Sequence, residues 1–516
     1  MTLKPYMIGV DIGTTSTKAV LFNKKGEALH RSGVEYPLHT PTPSTAEQDP
    51  DEIFLAVQHS IRTCIEESGI ESKKLDFISF SSAMHSLILI GENGVPLTPS
   101  ITWADNRSAA WAEYLKNNGG HEIYLRTGTP IHPMSPLVKL LWLNAEHPEL
   151  VKKTKKFISI KEYIFYKLFN EYIVDHSIAS ATGLFNLKEK DWDYEALNLA
   201  KITPSQLSRL VPTTYSIKGI SPDFAELMGV DPEVNFIIGA SDGVLSNLGV
   251  NAIKPGVAAL TIGTSGAIRS VVDQPRTDPL GRTFCYVLAD QHWVIGGPVN
   301  NGGMIFRWAK NELAASEIET AKRLGVDAYD LLTEMADKVS PGAEGLIFHP
   351  YLSGERAPLW NADARGSFFG LGLHHKKEHM IRAVLEGIVM NLYSVLLIME
   401  ELTGVPAKIQ ATGGFARSKV WRQMLADVFG YEVHVPESFE SSCLGAVVLG
   451  MYGLGQIEDL SIVDKMVGSV HAHHPIKNTN DVYKQLYPIF ERLSGMFDQG
   501  YSEIAAFQAK QTNLQK

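Results

Sequence analysis

The chain has 516 residues, enough for two large domains or three ordinary ones, and its 44% hydrophobic and 20% charged residues are typical of a globular protein. A formal net charge of −10 argues against a nucleic-acid-binding or membrane-surface role. The three cysteines (Cys64, Cys285 and Cys443) are too far apart for a disulfide framework or a zinc-binding spacing. The chain enters a strand pattern without a basic and apolar leader, so we expect a cytoplasmic protein.

The first predicted element is a β-hairpin from Met7 to Phe22, in which two apolar strands flank a polar turn. The turn offers backbone N–H groups, hydroxyls and a cation, which together suit a phosphate: Gly13, Thr14, Thr15 and Lys18. Asp11, at the end of the first strand, is placed to hold a metal ion through water. The alternative interpretation is a surface hairpin whose polar side chains are simply exposed to solvent.

A helix is predicted to begin at Asp49, where acidic residues occupy the first turn, and a buried strand covers residues 76–81. Further on, Trp103, Asp105 and Arg107 lie within five residues of each other. Such a cluster suits a hydroxyl-rich ligand, because the indole packs on C–H faces and the polar groups pair with hydroxyls. The alternative is a structural Asp–Arg pair at a capped helix start.

Residues 109–207 are predicted to be mainly helical, and the short strand Phe236–Gly239 leads Asp242 into a turn. Residues 239–243 match the G-x-S-x-G nucleophile elbow, so a serine hydrolase using Ser241 is an alternative. The sequence has no HGGG-type oxyanion loop upstream of this serine. Asp242 is instead interpreted as a general base for a hydroxyl group.

A second hairpin, Ala259–Val271, repeats the order of the first: an apolar strand, Ile-Gly-Thr, a hydroxyl-rich turn, a basic residue and another apolar strand. The repeat predicts a duplicated domain in which each half offers a phosphate-binding hairpin. Gly263 and Thr264 are the candidate phosphate contacts of the second copy. Residues 251–257 contain Pro and Gly and are the predicted boundary between the halves.

The remaining elements alternate between strands and helices, which predicts an α/β protein. Residues 312–340 are helical and charged and are expected to form an exposed subdomain, and Met380–Leu402 is one long amphipathic helix. The turn Gly413–Ser418 between a strand and a helix is a candidate nucleotide-binding turn, with an ordinary strand–helix turn as the alternative. No P-loop or G-x-G-x-x-G motif occurs in the sequence.

The chain resembles the FGGY family of carbohydrate kinases over essentially its whole length. The matching stretches are the Asp11 hairpin, Ala83–His85, Trp103–Arg107, Ala240–Gly243, Thr261–Gly266, Tyr351–Pro358 and Gly413–Gly414. Within the family it is most similar to gluconate kinases, at Ser81–Ser86, Thr127–Met134, Ile158–Phe165 and Gly297–Gly303. Pentulose kinases more often have Gly-Gln before the Met-His pair, and a xylulose-type kinase is the alternative within the family.

The resemblance implies an α/β fold of two ribonuclease H-like ATPase domains of the actin/hexokinase/Hsp70 type flanking a cleft. Residues 1–250 would form the sugar-binding side and residues 251–516 the ATP-binding side. It implies ATP and Mg²⁺ as cofactors, Asp242 as the base, Asp11 near the metal, and Met84 and His85 at the sugar. The implied contacts around the nucleotide are Thr264, Gly303, Arg307, Gly414 and Ser418.

The implied reaction transfers the γ-phosphoryl group of ATP to the 6-hydroxyl of D-gluconate, giving 6-phospho-D-gluconate. His85, Arg107 and Lys161 are candidate partners for the gluconate carboxylate. Two remote alternatives are a non-enzymatic ATP-driven binding module and the serine hydrolase. No nucleic-acid or membrane partner is expected, and a homodimer is compatible with the sequence.

Overall fold

The structure is a computed structural model and describes residues 4–436, 440–468 and 470–514. The chain forms two compact units. Unit 1 consists of residues 1–254, 271–295 and 440–468, and unit 2 of residues 255–270, 296–439 and 469–516. The chain first passes from one unit to the other between Lys254 and Pro255. The predicted domain division at residue 250 stays a prediction.

The strands, in chain order, are β1 (Tyr6–Ile12), β2 (Ser16–Asn23), β3 (Ala28–Glu35), β4 (Glu47–Gln48), β5 (Leu75–Ser82), β6 (Ile88–Ile90), β7 (Ser100–Ile101), β8 (Lys156–Ile158), β9 (Ile173–Asp175), β10 (Phe185–Asn186), β11 (Asp191–Trp192), β12 (Arg209–Val211), β13 (Ser216–Ile217), β14 (Asn235–Ser241), β15 (Val257–Ile262), β16 (Gly266–Val272), β17 (Phe284–Ala289), β18 (His292–Val299), β19 (Ile347–His349), β20 (Ser367–Phe369), β21 (Lys408–Thr412), β22 (Val433–Pro436) and β23 (Val470–His473).

The α-helices, in chain order, are α1 (Pro50–Ser68), α2 (Ala109–Asn117), α3 (Gly120–Thr127), α4 (Pro136–Glu146), α5 (Pro148–Lys153), α6 (Ile160–Phe169), α7 (His176–Ser180), α8 (Tyr194–Leu199), α9 (Pro222–Met228), α10 (Asp242–Gly249), α11 (Gly303–Leu313), α12 (Ala315–Leu324), α13 (Ala328–Asp337), α14 (Lys377–Thr403), α15 (Lys419–Phe429), α16 (Ser441–Gly453) and α17 (Lys477–Leu514).

The main sheet of unit 1 has the strand order β13-β14-β5-β1-β2-β3. β1 pairs antiparallel with β2 and parallel with β5, which in turn pairs parallel with β14. The central strands are buried along most of their length, as expected for parallel strands that are covered on both faces. The predicted hairpin from Met7 to Phe22 is therefore confirmed.

A seven-stranded sheet has the order β17-β18-β16-β15-β21-β22-β23. Here β15 pairs antiparallel with β16 and parallel with β21, which pairs parallel with β22. The order β3-β2-β1-β5-β14 of the first sheet thus recurs as β18-β16-β15-β21-β22. The recurrence confirms the duplicated fold that the repeated hairpin predicted.

Local sequence signals explain the ends of several helices. The Asp49 side chain accepts from the Asp51 N–H at 2.8 Å and caps α1, Pro50 occupies its first turn, and Gly69 ends it in the left-handed conformation with φ 68°. Ser159 and Glu162 form a capping box at the start of α6. Both helices therefore begin where their side chains satisfy the first free N–H groups.

The long helix α14 is long and apolar enough to cross a membrane by length and composition alone. In the structure, 83% of its most apolar window is buried within the protein. Along the residues that the structure describes, it is the one helix that meets these criteria, and its burial is that of a core helix of unit 2.

Helix α16 joins unit 1 although it lies far along the chain from the rest of that unit. It packs against β1, β5 and α10. A Cβ atom built on Gly445 would lie 2.1 Å from the Leu245 carbonyl oxygen, so only glycine permits this approach of α16 to α10. The Ser246 and Ser442 hydroxyls hydrogen-bond across the same contact at 2.9 Å.

Two expectations differ from the structure. Asp242 does not lie in an open turn but begins α10, because the residues after it continue directly into a helix with buried apolar positions. Residues 312–340 do form helices, but they are not a fully exposed subdomain. Leu332, Thr333 and Ala336 on α13 are buried.

Candidate active site

Asp11 lies near the carboxyl end of β1, opposite Lys18 on β2. Its Oδ1 accepts a hydrogen bond from the Ser81 hydroxyl at 2.7 Å. Burial raises the pKa of Asp11, while the Ser81 hydrogen bond and the Lys18 charge act in the opposite direction. A partly buried carboxylate in this position is stabilised by any further cation that comes near it.

The turn after β1 is held by side chains from other parts of unit 1. The Trp103 indole N–H donates to the Thr14 hydroxyl at 2.9 Å, and the Tyr36 hydroxyl donates to the Gly13 carbonyl at 2.7 Å. Thr15 and Lys18 are exposed. The predicted phosphate turn is therefore held in place by hydrogen bonds, while its polar side chains Thr15 and Lys18 stay exposed.

Asp105 and Arg107 form the Asp–Arg pair that was the alternative interpretation of their cluster. Asp105 is fully buried, and its carboxylate accepts from the Ala46 N–H at 2.9 Å and from the Arg107 Nε at 2.9 Å. Arg107 also pairs with Glu47 at 2.5 Å and lies over the Trp142 ring. These contacts hold the loop, and of the pair only Arg107 keeps partial exposure.

Met84 and His85 follow β5, and Met84 is partly exposed. His85 has a left-handed backbone conformation with φ 68°, which is uncommon for a residue other than glycine. Its Nδ1 lies 2.7 Å from the Ala181 carbonyl oxygen, so this nitrogen carries a proton. The His85 ring also packs against the Tyr286 ring in a T-shaped arrangement.

Asp242 is partly buried at the first position of α10, and its Oδ1 accepts from the Gly243 N–H at 2.7 Å. The neighbouring Ser241 is fully buried and hydrogen-bonds through its hydroxyl to Ser177 at 3.1 Å. A buried serine in this position cannot attack an ester, which argues against the hydrolase. Asp242, which follows β14 directly, is the partly exposed residue of the two.

In unit 2, a cavity of about 310 Å³ brings together most of the predicted nucleotide contacts. The predicted residues that line it are Gly263, Thr264, Gly303, Arg307, Gly414 and Ser418. Gly413 is not among the lining residues. Its φ is 113°, and a Cβ atom there would lie 2.1 Å from the Ile262 carbonyl oxygen, so glycine is required for β21 to end this close to β15.

The start of α11 is bonded directly to the hairpin turn of unit 2. The Gly303 N–H donates to the Gly263 carbonyl at 2.7 Å, and the Met304 N–H donates to the Thr264 carbonyl at 3.1 Å. The loop before α11 is held by Glu355, a buried carboxylate that accepts from the side chain of Asn301 at 2.9 Å. Burial raises the pKa of Glu355. The hairpin turn, the start of α11 and the loop of Glu355 are thus joined by hydrogen bonds.

Two family models cover most of the chain: the N-terminal domain of the FGGY family of carbohydrate kinases matches residues 6–249, and its C-terminal domain matches residues 258–454. The chain belongs to the FGGY family of carbohydrate kinases. The fold of two α/β domains with the repeated strand order is the fold of this family of kinases, as the resemblance implied.

Several relatives match this FGGY kinase along nearly all of their length. A gluconokinase from Bacillus subtilis is 60% identical over 505 residues, which is 98% of each chain. The crystal structure of a gluconate kinase from Lactobacillus acidophilus has a TM-score of 0.92 at 40% identity, covering 97% of this chain and 99% of that one. A ligand-bound structure described as xylulose kinase from Lactobacillus acidophilus gives the same TM-score, identity and coverage.

The residues present fit a magnesium ion of the kind that accompanies ATP. Mg²⁺ prefers oxygen ligands, keeps several waters, and is usually bound by one or two carboxylates together with substrate phosphates. Asp11 supplies such an oxygen, and burial disfavours its charge unless a cation is near. Within residues 4–436, 440–468 and 470–514, no group of three or more His, Cys, Asp or Glu side chains could hold a metal by itself.

Sequence reasoning missed several residues of this FGGY kinase's candidate site. Three aromatic side chains outside the predicted turn Gly413–Ser418 line the unit 2 cavity: Phe306, Tyr329 and Trp421. Tyr329 lies on α13, within the segment that was expected to be an exposed subdomain. The spacing of Trp421 three residues after Ser418, on the first turn of α15, was a signal that could have identified it.

Lys139 was also missed. It is fully buried on α4, and its ammonium contacts four carbonyl oxygens, those of His85 at 2.6 Å, Thr102 at 2.7 Å, Met134 at 2.9 Å and Ile101 at 3.4 Å. A lone lysine among the apolar residues 137–143 was the available signal. Lys139 therefore joins the loop of His85 to the loop that precedes Trp103.

Lys161 does not face a ligand. It is only 1% exposed, and its ammonium contacts Asp175 and two backbone carbonyls. The prediction that Lys161 can bind the substrate carboxylate is wrong, because all three of its donor positions are used inside the protein. His85 and Arg107 stay candidates for that contact.

Proposed function

We propose that this FGGY kinase transfers the γ-phosphoryl group of ATP to the 6-hydroxyl of D-gluconate and releases 6-phospho-D-gluconate and ADP. The observation that carries the choice of substrate is the 60% identity, over 98% of both chains, to a protein named gluconokinase. Residues 1–250 would bind the sugar acid and residues 251–516 the nucleotide.

Asp242 is the proposed general base. The oxygen of the substrate hydroxyl forms a bond to the γ-phosphorus, the bond from that phosphorus to the β,γ-bridging oxygen breaks with its electrons staying on ADP, and the hydroxyl proton moves to the Asp242 carboxylate. Phosphoryl transfer passes through a loose transition state, so orienting the hydroxyl matters more than a highly basic carboxylate. The Gly243 N–H bond at 2.7 Å fixes the orientation of Asp242.

The two hairpin turns are proposed to hold the phosphates. In unit 1 the proposed contacts are Gly13, Thr14, Thr15 and Lys18, and in unit 2 they are Gly263 and Thr264. Asp11 would hold Mg²⁺ through water, and the ion supplies positive charge to the phosphate oxygens when bound. Lys18 is exposed on β2 opposite Asp11, and its ammonium would add positive charge near the phosphates, as Mg²⁺ does.

The cavity of unit 2 is proposed to bind the adenosine part of ATP. Its volume of about 310 Å³ and its aromatic wall suit a planar base, because aromatic side chains stack on such rings. The proposed contacts with the sugar and phosphates of the nucleotide are Ser418, which caps α15, Gly413 and Gly414 in the turn after β21, and Gly303 and Arg307.

On the sugar side, Met84, His85, Trp103 and Arg107 are the proposed contacts, and Asp105 acts by holding Arg107. Arg107 already pairs with the carboxylates of Asp105 and Glu47, so a substrate carboxylate would share its guanidinium. Burial lowers the pKa of Arg107, but the two acidic partners raise it by more. We propose a cytoplasmic location, and a homodimer stays a prediction.

A xylulose-type kinase is the second candidate, because a ligand-bound structure described as xylulose kinase matches this chain as well as the gluconate kinase structure does. The experiment that separates the two measures ADP release from ATP and Mg²⁺ with gluconate, xylulose, ribulose, glycerol, fuculose or no sugar. We expect stimulation by gluconate alone. Stimulation by xylulose instead would overturn the substrate, and no stimulation by any of them would favour a binding module.

A further inference from the structure

The ammonium of Lys161, on α6, lies beneath the strand that leads to Asp242. It contacts Asp175 at 2.7 Å, the Ala240 carbonyl at 3.0 Å and the Ile238 carbonyl at 3.2 Å. A lysine ammonium has three N–H donors, and here three acceptors surround it. Two of the three are carbonyls of β14, the strand that ends one residue before Asp242.

Asp175 extends this contact to helix α7. One carboxylate oxygen pairs with Lys161, and the other accepts from the Ile178 N–H at 3.0 Å and so caps α7. Both side chains are only 1% exposed. Burying two charges is costly, and replacing such a pair by apolar residues is often neutral or stabilising, so a buried ion pair is weak evidence for a stabilising role.

Helix α7 in turn contacts the residue before Asp242. The Ser177 hydroxyl accepts from the Ser241 N–H at 3.1 Å and donates to the Ser241 hydroxyl at 3.1 Å. The residue that follows α7, Ala181, supplies the carbonyl that binds His85. One buried cation therefore touches β14 directly and reaches both Ser241 and the His85 loop through α7.

We propose that the buried Lys161–Asp175 pair positions Asp242, so that the pair acts on the rate of phosphoryl transfer through the base without touching substrate. The proposal rests on the proposed function only in taking Asp242 as the base. Burial lowers the pKa of Lys161, while the charges of Asp175 and Asp242 act in the opposite direction, so the cation also interacts with the base electrostatically. Small displacements of a catalytic group lower the reaction rate by large factors. The buried pair can therefore matter for catalysis even where it adds little to stability.

The test replaces both charges together, as Lys161→Met with Asp175→Asn, so that no unpaired charge is left buried. Asn keeps an oxygen for the Ile178 N–H. We expect kcat to fall at least tenfold, with the KM values for ATP and for the sugar acid within twofold of wild type and an unchanged circular dichroism spectrum. A kcat within twofold of wild type, or a loss of kcat that only follows a rise in both KM values, would overturn the proposal.

The matched control is Lys167→Met with Asp51→Asn, which removes an exposed ion pair of 3.3 Å between α6 and α1. Its kcat should stay within twofold of wild type, and a loss equal to that of the buried pair would contradict a specific role. If the buried double variant does not fold, Ser177→Ala decides: kcat should fall severalfold at constant KM, and an unchanged kcat would overturn the proposal.

The assay uses whichever polyol the wild-type enzyme accepts, so the two hypotheses fail separately. Inactivity of the wild type on every sugar would refute the proposed function. An active wild type whose kcat does not respond to the buried pair or to Ser177 would refute only the positioning role.

Discussion

The indole N–H of Trp103 donates to the hydroxyl of Thr14 over 2.9 Å. This bond joins the proposed phosphate turn after β1 to the loop that carries the proposed sugar contacts. The Thr14 carbonyl accepts a second bond, from the Gln48 side chain at 2.6 Å. The position of the phosphate turn in unit 1 therefore depends on side chains that come from the sugar-binding loop and its neighbours.

Trp103→Phe should lower kcat/KM for gluconate by about tenfold, because one hydrogen bond is worth roughly 0.5–1.5 kcal/mol and the smaller ring also loses packing. Steady-state kinetics with gluconate as the varied substrate measures the effect. The control is Trp111→Phe, which removes an indole bond to the exposed Glu146 and should change nothing. Equal kinetics for both variants would show that the Thr14 bond has no catalytic importance.

Asp242→Asn should lower kcat by about three orders of magnitude, since general acid–base groups contribute roughly 10²- to 10⁴-fold. The amide keeps the shape of the side chain, so ATP and gluconate should bind with dissociation constants within a few-fold of wild type by calorimetry. Asp223→Asn, at an exposed acid on α9, is the control. Turnover close to wild type would remove Asp242 from the mechanism.

Tyr329→Ala should raise the KM for ATP about tenfold and leave kcat nearly unchanged, because stacking of a base on an aromatic ring contributes roughly 1–3 kcal/mol. Tyr329 lines the unit 2 cavity and packs against Phe306, with ring centroids 5.2 Å apart. Tyr329→Phe keeps the ring and should behave like wild type. The adenosine assignment would be refuted by an alanine variant with an unchanged KM for ATP.

Burial lowers the pKa of Lys139 to about 7. The unfolded chain has the ordinary lysine pKa, so between about pH 7 and pH 10 it binds one more proton than the folded protein, and the free energy of unfolding rises by about 1.4 kcal/mol per pH unit. Below pH 7 both states are protonated, and this gain is absent.

Urea unfolding of wild type and Lys139→Met at pH 6, 7, 8 and 9 tests this dependence. The free energy of unfolding of wild type minus that of the variant should be constant from pH 6 to 7 and then increase. Lys116→Met, which replaces an exposed lysine on the neighbouring helix α2, is the control for the loss of a lysine as such. A pH-independent difference for Lys139 would mean that its carbonyl partners keep it charged.

Local patterns predicted the elements well where one short stretch of sequence determines them. The two hairpins follow from apolar strands around a polar turn, and α1 follows from Asp49, Pro50 and an apolar face. Several glycines and Ser418 line the cavity of unit 2, and the sequence proposes them as nucleotide contacts because backbone approach and helix capping leave clear local signals. The aromatic wall of this cavity has no such local signal, because Phe306, Tyr329 and Trp421 meet only through tertiary packing.

The two buried lysines illustrate the same limit. Lys161 is a candidate partner for the substrate carboxylate in the sequence because a lysine can pair with a carboxylate, yet in the structure its partners Asp175 and Ala240 come from distant strands. No local pattern indicates the role of Lys139, because its four carbonyl partners converge from three separate segments. Sequence spacing carries no information on which side of a helix faces the protein interior when the neighbouring residues are apolar all round.

The packing of α16 on β1 and α10 determines when unit 1 can be completed during biosynthesis. A ribosome that has released residues 1–254 has produced most of this unit, but the helix that covers Leu245 and the inner face of β5 has not yet been translated. Apolar surface on β5 and α10 therefore stays uncovered in the nascent chain until residues 440–468 emerge. Premature termination after residue 254 but before residue 440 would leave that surface permanently open to chaperones and to aggregation.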